Sequence, residues 1–309
     1  MVGSDELDCP DIHSHPAVNF LNLRGSQHSD VSFVRKLFRI STYYAKLIRY
    51  AAIAKPRVFH ILWNNKFESF DRTLLTLYYK LLGKRIVLTA HNVNTQRRDS
   101  MDTRFNRITL GIQYRLADHI FVHTPKMKRE LTKEFGVQEN RVAVIPFGVN
   151  NAVPNTDLTP ADAKKRLGIS GHDRTILFFG RITPYKGLEH LIAAFRQLLT
   201  RRDNYRLVIA GRPDNCDSYW RSIQDAIAED AHHGRIQVKA GFIPDDETEV
   251  YFKAADVVVL PYKDIYQSGV LFLGYGFGLP AIATDVGSFG EDIIEGQTGM
   301  LCKPSHPDD

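Results

Sequence analysis

Short apolar runs alternate with amphipathic stretches along the whole chain. The runs predict buried strands over residues 17–23, 57–62, 85–90, 119–123 and 142–146, and again over 175–179, 206–210, 235–240, 256–260, 281–284 and 300–302. Apolar residues three and four apart predict helices over 32–50, 71–82, 103–116 and 125–135, a short helix from Pro160 to about Leu167, and another from Leu188. This alternation of strand and helix predicts an α/β fold with parallel, doubly wound sheets.

The chain is longer than one hydrophobic core usually serves. It has 309 residues, and residues 150–173 are rich in Asn, Pro, Thr, Asp and Gly, as a linker would be. We therefore predict two Rossmann-like domains, residues 1–150 and 151–309, with the carboxyl edges of their sheets facing across a cleft.

Charge is distributed unevenly between the two halves. Residues 1–150 carry 23 Lys and Arg against 13 Asp and Glu, a net charge of +10, whereas residues 151–309 carry 17 against 22, a net charge of −5. A basic half suits nucleic acid, an anionic membrane or a phosphorylated ligand. Because no helix-turn-helix, zinc-finger or aromatic-basic signature accompanies it, we expect no nucleic acid partner.

The predicted helix over residues 32–50 leaves two interpretations open. Its predicted apolar side carries Phe33, Leu37, Ile40, Tyr44, Leu47 and Ile48, and its other positions include five Lys and Arg residues. Such a helix can lie on an anionic membrane surface or serve as an ordinary outer helix of an α/β layer.

The cysteines and the amino-terminal residues bear on the compartment. Cys9, Cys216 and Cys302 lie far apart without a C-x-x-C pair, which fits a reducing compartment. No apolar run approaches the roughly 18 residues of a membrane span, and the acidic first residues argue against a signal peptide. We expect a cytoplasmic protein, with the basic helix as the basis for peripheral contact at the inner face of the membrane.

The stretch from Thr175 to Glu189 carries the clearest candidate chemistry. A buried strand ends at Gly180, and Arg181 and Lys186 follow on the loop that leads into the next helix. Cations at the carboxyl end of a parallel strand, beside a helix N-terminus, are typical of an anion site. A surface loop with two solvated cations is the alternative. His91 also follows a strand, and is either a donor to a sugar hydroxyl or phosphate or a loop histidine without a role.

Several motifs in order resemble a GT-B glycosyltransferase of family 4. They are Gly180-Arg181 with Lys186-Gly187, Ala210-Gly211, Gly241-Phe242, ADVVVLP over 255–261, and GLP with ATDVG over 278–287. The similarity covers nearly all of residues 174–304 and is looser over 57–150. It implies a sugar nucleotide, UDP- or GDP-linked, bound mostly by the second domain. It also implies retention of anomeric configuration, with no bound metal and no tightly bound cofactor.

The resemblance assigns roles to particular residues. Arg181 and Lys186 match the family pair that holds the donor diphosphate, and His91 is placed near the reacting sugar. Gly180 and Gly211 allow the ligand to approach the backbone closely. The segment Ser268-Gly269-Val270 would offer backbone N–H groups to a phosphate. Glu291 is either a ribose or sugar contact or a solvated acid in the first turn of a helix.

The chain also departs from the family pattern. Ile265 and Leu273 stand where the family commonly has two glutamates, and the resemblance implies further segments before Ala17 and after Pro304. We expect an incomplete hexosyl- or N-acetylhexosaminyltransferase of polysaccharide biosynthesis that acts on a glycan or lipid-linked acceptor. The alternative is a catalytically degenerate GT-B module that binds a nucleotide or a partner. An epimerase would need acidic residues that the sequence does not place.

Overall fold

The computed structural model describes residues 1–3, 15–25, 32–98, 101–146, 148 and 153–309. It divides into two compact units. The first comprises Met1–Thr89 and Ile108–Ile120, and the second comprises Ala90–Arg107 and Phe121–Asp309. The domain boundary predicted between residues 150 and 151 lies outside the described residues and stays a prediction.

The strands follow the apolar runs of the sequence closely. They are β1 (Val2–Gly3), β2 (Leu21–Asn22), β3 (Val58–Ile61), β4 (Arg85–Thr89), β5 (His119–Val122), β6 (Val142–Val144), β7 (Arg174–Phe179), β8 (Tyr205–Gly211), β9 (Ile236–Ala240), β10 (Val257–Leu260), β11 (Ala281–Thr284) and β12 (Gly299–Cys302). The strand predicted over 17–23 was too long, because only its last part, β2, pairs, and it pairs with β1.

The predicted helical spans form helices, and the structure adds others that the periodicity did not predict, such as Asp217–His232. The helices are α1 (Phe33–Ile53), α2 (Glu68–Phe70), α3 (Thr76–Leu81), α4 (Thr95–Arg98), α5 (Arg104–Leu116), α6 (Pro125–Phe135), α7 (Pro160–Arg166), α8 (Leu188–Leu199), α9 (Asp217–His232), α10 (Asp245–Ala254), α11 (Gly269–Gly276) and α12 (Phe289–Asp292). A π-helical turn, Asp71–Leu75, joins α2 to α3, and 3₁₀ turns span Glu139–Arg141 and Pro184–Lys186. No helix in the described part of the chain is long and apolar enough to cross a membrane.

The larger sheet lies in the second unit and has the order β12-β11-β10-β7-β8-β9. Its strands are parallel, with Val257 opposite Ile176 and Leu207 opposite Ile176 on the other side. The chain winds outward from β7 in both directions, so the topological switch point lies between β7 and β10. In open α/β sheets the ligand binds at the carboxyl ends of the strands at that point.

Both faces of this sheet are covered, which explains why β7 reads as an unbroken apolar run. Phe178 packs into one core with residues of α8 and α9, such as Phe195 and Ile223. Leu177 points to the opposite core, with Phe252 of α10 and others. The predicted α/β fold with parallel sheets is thus confirmed.

The smaller sheet has the order β3-β4-β5-β6, and β3 pairs with β4 in parallel, with Val58 opposite Arg85. Helix α1 buries Tyr43, Tyr44, Leu47 and Ala51. The predicted apolar face was therefore wrong in part, because Leu37 and Ile48 are exposed. The helix turns Tyr43 and Tyr44 inward, where they contact the chain around Asn65 and Phe67.

Polar residues stabilise the starts of two helices. Thr159 caps α7, since its hydroxyl accepts a hydrogen bond from the Asp162 N–H at 3.1 Å. Asp245 lies in the first turn of α10, where its negative charge interacts favourably with the positive end of the helix dipole.

Candidate functional site

The candidate site is built at the carboxyl ends of β7 and β8. Gly180 ends β7 with φ of 100°, and its N–H donates to the Ala210 carbonyl at 2.9 Å. A Cβ at Gly211 would lie 1.7 Å from the Gly180 carbonyl oxygen. Only glycine at position 211 therefore lets the two strand ends approach this closely.

The loop after β7 is pressed against the end of β10 by a second glycine. Gly187 has φ of 63° and begins α8, and a Cβ there would lie 2.1 Å from the Pro261 carbonyl oxygen. This contact fixes the 3₁₀ turn Pro184–Lys186 above the switch point of the sheet.

Lys186 is buried at this point, with 7% of its surface exposed. Its Nζ donates to the Tyr262 hydroxyl at 3.0 Å and lies 4.8 Å from the centre of the Tyr262 ring. Among the ion pairs of the described residues, none includes Lys186. A buried ammonium without a carboxylate partner is costly, so the position favours an anion nearby.

The predicted phosphate-binding segment borders the same tyrosine. Ser268 is buried, and its Oγ lies 3.4 Å from the Tyr262 hydroxyl. Gly269 is the first residue of α11, where backbone N–H groups lack intrahelical partners. A Cβ built on Gly180 would lie 3.3 Å from Lys186 Nζ and 3.4 Å from Val270 Cγ2. The fold thus brings these predicted residues together around Tyr262.

A pocket of about 690 Å³ opens beside this cluster within the second unit. Of the predicted site residues, Arg181 lines it, and its side chain is 64% exposed and pairs with Asp214 at 3.1 Å. The pocket is lined by Arg97, Met101, Arg181, Thr183, Pro184, Tyr185, Asp214, Asn215, Lys263 and Asp264. Three of the lining residues, Arg97, Arg181 and Lys263, are cations and two, Asp214 and Asp264, are acids, so the lining carries a net positive charge that suits an anionic ligand.

One of those cations, Lys263, is held in place by an acid behind it. Lys263 Nζ lies 2.6 Å from Glu189, which also accepts a hydrogen bond from the Tyr219 hydroxyl at 2.5 Å. Burial alone raises the pKa of Glu189, but the bonds from Lys263 and Tyr219 outweigh it and lower that pKa. Glu189 therefore stays ionised and holds the Lys263 side chain in place.

Some buried polar atoms of the second unit make no hydrogen bond within the described protein. They are Thr183 Oγ1, Gln267 Oε1, Asn94 Nδ2 and Thr175 Oγ1. Thr183 lines the pocket, and Gln267 precedes Ser268. Unsatisfied buried groups of this kind are uncommon and need an explanation, of which ligand binding is one.

His91 lies at the end of β4 and pairs with a second histidine. His123 Nε2 is 2.9 Å from His91 Nδ1, and the two rings stack with centroids 5.0 Å apart. Burial, and then the neighbouring His123, lower the pKa of His91. His91 is therefore held neutral and can serve as a hydrogen-bond donor or acceptor. It does not line the pocket of the second unit.

The positions of the family's two glutamates are occupied by core residues. Ile265 is 8% exposed and Leu273 is 9% exposed, and each packs in a hydrophobic cluster. Beside Ile265, the Tyr266 hydroxyl donates to Glu130 at 2.9 Å and accepts from the Asn94 N–H at 3.0 Å. Burial raises the pKa of Glu130. A carboxylate from α6 thus lies beside Tyr266, which the sequence did not predict.

Glu291 lies apart from the cluster around Tyr262. It belongs to the short helix α12, pairs with Arg129 at 3.3 Å, and is 40% exposed in its side chain. It does not line the pocket. Its role as a ribose or sugar contact stays a prediction.

Sequence reasoning missed four residues that shape the site: Tyr262, Asp214, Lys263 and His123. Each follows a strand, at the carboxyl edge of its own sheet, as Arg181 and His91 do. That position was the available signal. Their pairing with residues distant in sequence could not be read from local pattern.

Comparison with known proteins agrees with this architecture. Residues 11–153 match the model for Glycosyltransferase Family 4, and residues 173–309 match the model for Glycosyl transferases group 1. The chain is 27% identical over 195 residues to a D-inositol 3-phosphate glycosyltransferase of Corynebacterium efficiens, covering 62% of this chain and 46% of the relative. The chain thus spans about half the length of the curated relatives it matches.

Solved structures share the fold. The sucrose-phosphate synthase of Thermosynechococcus elongatus matches with a TM-score of 0.74 at 19% identity, covering 94% of this chain and 71% of that one. Anabaena HepE, crystallised with UDP and glucose, matches with a TM-score of 0.72 at 17% identity, covering 94% and 73%. These likenesses confirm the predicted GT-B fold. With two family models matched in succession along its length, this chain contains a Glycosyltransferase Family 4 domain followed by a Glycosyl transferases group 1 domain.

Proposed function

We propose that this protein transfers a hexose or N-acetylhexosamine from a sugar nucleotide to a glycan or lipid-linked acceptor. The observation that carries the proposal is Lys186, a buried lysine that donates a hydrogen bond to the Tyr262 hydroxyl and forms no ion pair among the described residues. It lies at the switch point of the sheet, beside the N-terminus of α11. A diphosphate there would supply the missing negative charge.

The roles follow from where charge develops in the reaction. When the bond between the anomeric carbon and the phosphate oxygen breaks, negative charge grows on the β-phosphate. Lys186 and Arg181 would stabilise that charge, together with the N–H groups at Ser268-Gly269. A neutral His91 would hydrogen-bond the sugar. In a front-side displacement the leaving phosphate accepts the acceptor proton, so the configuration at the anomeric carbon is retained and no carboxylate nucleophile is needed.

The relatives support the choice of donor and the kind of acceptor. The structure of HepE with UDP and glucose supports a uridine-linked donor, with GDP-sugars as the second choice. The inositol phosphate relatives support a hydroxyl acceptor. Polysaccharide biosynthesis is the corresponding proposed role.

A second function, nucleotide binding without catalysis, is favoured by one observation. The two positions where the family commonly carries glutamates hold buried apolar side chains, Ile265 and Leu273. Turnover measurements separate the two functions. A catalyst loses turnover on Arg181→Ala, whereas a binding module binds nucleotide without any turnover to lose.

The first test is a thermal-shift screen against UDP, GDP, ADP and their sugar conjugates, on the wild type and on Lys186→Ala. We expect one nucleotide to stabilise the wild type and not the variant. Lys239→Ala is the matched control, because Lys239 is an exposed residue of β9 and should keep the full response. A folded wild type that responds to no nucleotide would contradict the proposal.

We also propose a peripheral contact of α1 with anionic membranes. Val34 and Phe38 on its outward side are each 74% exposed, and Arg35 and Lys46 are exposed on the same helix. Exposed apolar side chains beside cations suit an anionic lipid surface. Sedimentation with anionic vesicles should be lost in Val34→Ser/Phe38→Ser. Sedimentation that is unchanged in this variant, or indifferent to lipid charge, would refute the contact.

A further inference from the structure

One wall of the pocket in the second unit comes from a residue outside the predicted donor domain of residues 151–309. Arg97 belongs to α4 and lines the pocket together with Arg181 and Lys263, and its side chain is 50% exposed. A polar side chain at the wall of a pocket can orient a bound ligand. A ligand in this pocket therefore meets a cation that the proposed diphosphate site does not use.

Two acids of α6 hold the guanidinium of Arg97. Arg97 Nη1 lies 2.7 Å from the Glu134 carboxylate and 3.7 Å from the Glu130 carboxylate. Neither acid lines the pocket, so the guanidinium is the group of this set that a ligand meets. A guanidinium has five N–H donors, and the two acids offset its charge here. Such a group suits a neutral acceptor, such as a sugar hydroxyl, better than it suits a phosphate.

The backbone at Arg97 is fixed as well. Asn94 is 2% exposed, and its Oδ1 accepts hydrogen bonds from the Arg97 N–H at 3.3 Å and from Asn106 Nδ2 at 2.9 Å. The Asn94 N–H donates in turn to the Tyr266 hydroxyl at 3.0 Å. The start of α4 is therefore tied to the segment that leads to Ser268, and Arg97 reaches the pocket from a fixed position.

Tyr266 and Glu130 complete this support. The Tyr266 hydroxyl donates to Glu130 at 2.9 Å, and Glu130, whose side chain is 12% exposed, contacts both Tyr266 and Arg97. Tyr266 directly follows Ile265, which stands at a position where the family commonly has a glutamate. Polar groups from separate segments are thus gathered beside a position that has no polar side chain of its own. They form the Arg97 cluster: Asn94, Arg97, Glu130, Glu134 and Tyr266.

We propose that Arg97 binds the hydroxyl groups of the donor sugar, with Glu130 and Tyr266 as its positioning residues. The pocket opens beside Lys186, so a sugar joined to a diphosphate at Lys186 would enter it, and about 690 Å³ is enough for such a ligand. The buried side chain of Ile265 offers this sugar no hydrogen bond, whereas Arg97 offers several. The inference rests on the proposed transferase function and adds a residue that selects the sugar of the donor.

Calorimetric titration of the full chain with UDP and with UDP-glucose separates contacts to the sugar from contacts to the nucleotide. The wild type is compared with two variants. Arg97→Met removes the N–H donors and keeps an unbranched side chain, and Tyr266→Phe removes the hydroxyl that supports Arg97. GDP and GDP-mannose replace the two probes if the thermal-shift screen selects GDP.

Each variant has a matched control in the second unit. Arg196→Met replaces an arginine that is 46% exposed and pairs with Asp230 at 2.9 Å but does not line the pocket. Tyr275→Phe removes a hydroxyl that takes part in two hydrogen bonds, at 3.2 and 3.1 Å, outside the Arg97 cluster. Thermal melts check that every variant folds, and Glu130→Ala replaces Tyr266→Phe if the latter does not fold.

We expect Arg97→Met to raise the Kd of UDP-glucose about tenfold, while the Kd of UDP stays within about threefold of the wild type. Tyr266→Phe should raise the Kd of UDP-glucose about fivefold, because Arg97 is kept but is no longer held in place. Both controls should stay within about twofold for both probes. Equal losses for UDP and UDP-glucose in Arg97→Met, or an unchanged Kd of UDP-glucose in either variant, would overturn the proposal.

The inference and the proposed function fail in different ways. If UDP binding depends on Lys186 but Arg97→Met leaves the binding of UDP-glucose unchanged, only the assignment of Arg97 is refuted. A folded wild type that binds neither UDP, GDP nor their sugar conjugates refutes the proposed function, and the assignment of Arg97 with it.

Discussion

Replacing Lys186 by methionine should stabilise the ligand-free protein while weakening nucleotide binding. Burying an ammonium costs several kcal/mol. Against this, its hydrogen bond to Tyr262 contributes about 1.5–3 kcal/mol and the contact with the tyrosine ring about 0.5–2 kcal/mol. The remainder is a small penalty that a methionine of similar length would remove. We therefore expect Lys186→Met to raise the free energy of unfolding by about 1–2 kcal/mol.

The same change removes a charge-assisted contact to the donor. Its loss should cost about 1.5–3 kcal/mol of binding, or roughly 10- to 150-fold in the Kd of the nucleotide. Urea unfolding gives the stability, and calorimetric titration with the nucleotide found in the thermal-shift screen gives the affinity. A higher free energy of unfolding together with a weaker nucleotide affinity is the signature of a residue kept for function.

Lys164→Met is the matched control, because Lys164 is buried to a similar degree but is fully partnered. It is 8% exposed, and its Nζ lies 2.7 Å from the Asp173 carbonyl and 2.9 Å from the Asp256 carboxylate. Its replacement removes a donor from the Asp173 carbonyl and the ion pair from the Asp256 carboxylate, which keeps the hydrogen bond from the Thr175 N–H at 2.7 Å. We expect a destabilisation of about 1–3 kcal/mol. Equal destabilisation in the two variants, or an unchanged nucleotide affinity in Lys186→Met, would refute the reasoning about Lys186.

Three further outcomes are expected. Tyr262→Phe leaves the Lys186 ammonium without its acceptor and should destabilise by about 1–3 kcal/mol in urea unfolding, a loss that combining it with Lys186→Met should reverse. Gly211→Ala should destabilise by about 3 kcal/mol through the clash with the Gly180 carbonyl, whereas Gly171→Ala, with open space around it, should not. Because the pKa of His91 is lowered from 6.5, the unfolded state binds the proton first, so stability should fall as pH drops below about 6.5. In His91→Gln the stability should depend less on pH below about 6.5. An unchanged dependence of stability on pH would contradict this role of His91.

Local pattern was enough to predict most of the secondary structure. The apolar runs that became β7, β8 and β10 are short, uninterrupted and bounded by glycine or by helical periodicity, so the strand assignment needed no distant contact. The same reasoning located the edge that carries Arg181 and Lys186, because a residue that follows a parallel strand lies at that edge whatever its partners are.

The face of a helix that becomes buried was predicted less well. In α1 the periodicity placed Leu37 and Ile48 with the buried side, but the structure buries Tyr43 and Ala51 and leaves those two exposed. Periodicity predicts that a helix has an apolar face. The elements that pack against the helix decide how it is rotated about its axis and which residues become buried. With the same rotation, Lys36 and Arg39 line a pocket together with Tyr43 and Tyr44.

The sequence by itself determined the helices and strands and the carboxyl edge of the sheet that carries the candidate binding residues. What only the tertiary structure decided was the state of each charged group there. Lys186 is buried against Tyr262, which is 76 residues away, whereas Arg181 is exposed and pairs with Asp214, 33 residues away. The two cations look alike in sequence because composition and spacing carry no information on burial. Burial and pairing depend on side chains from other strands, and these set the electrostatic free energy of each charge.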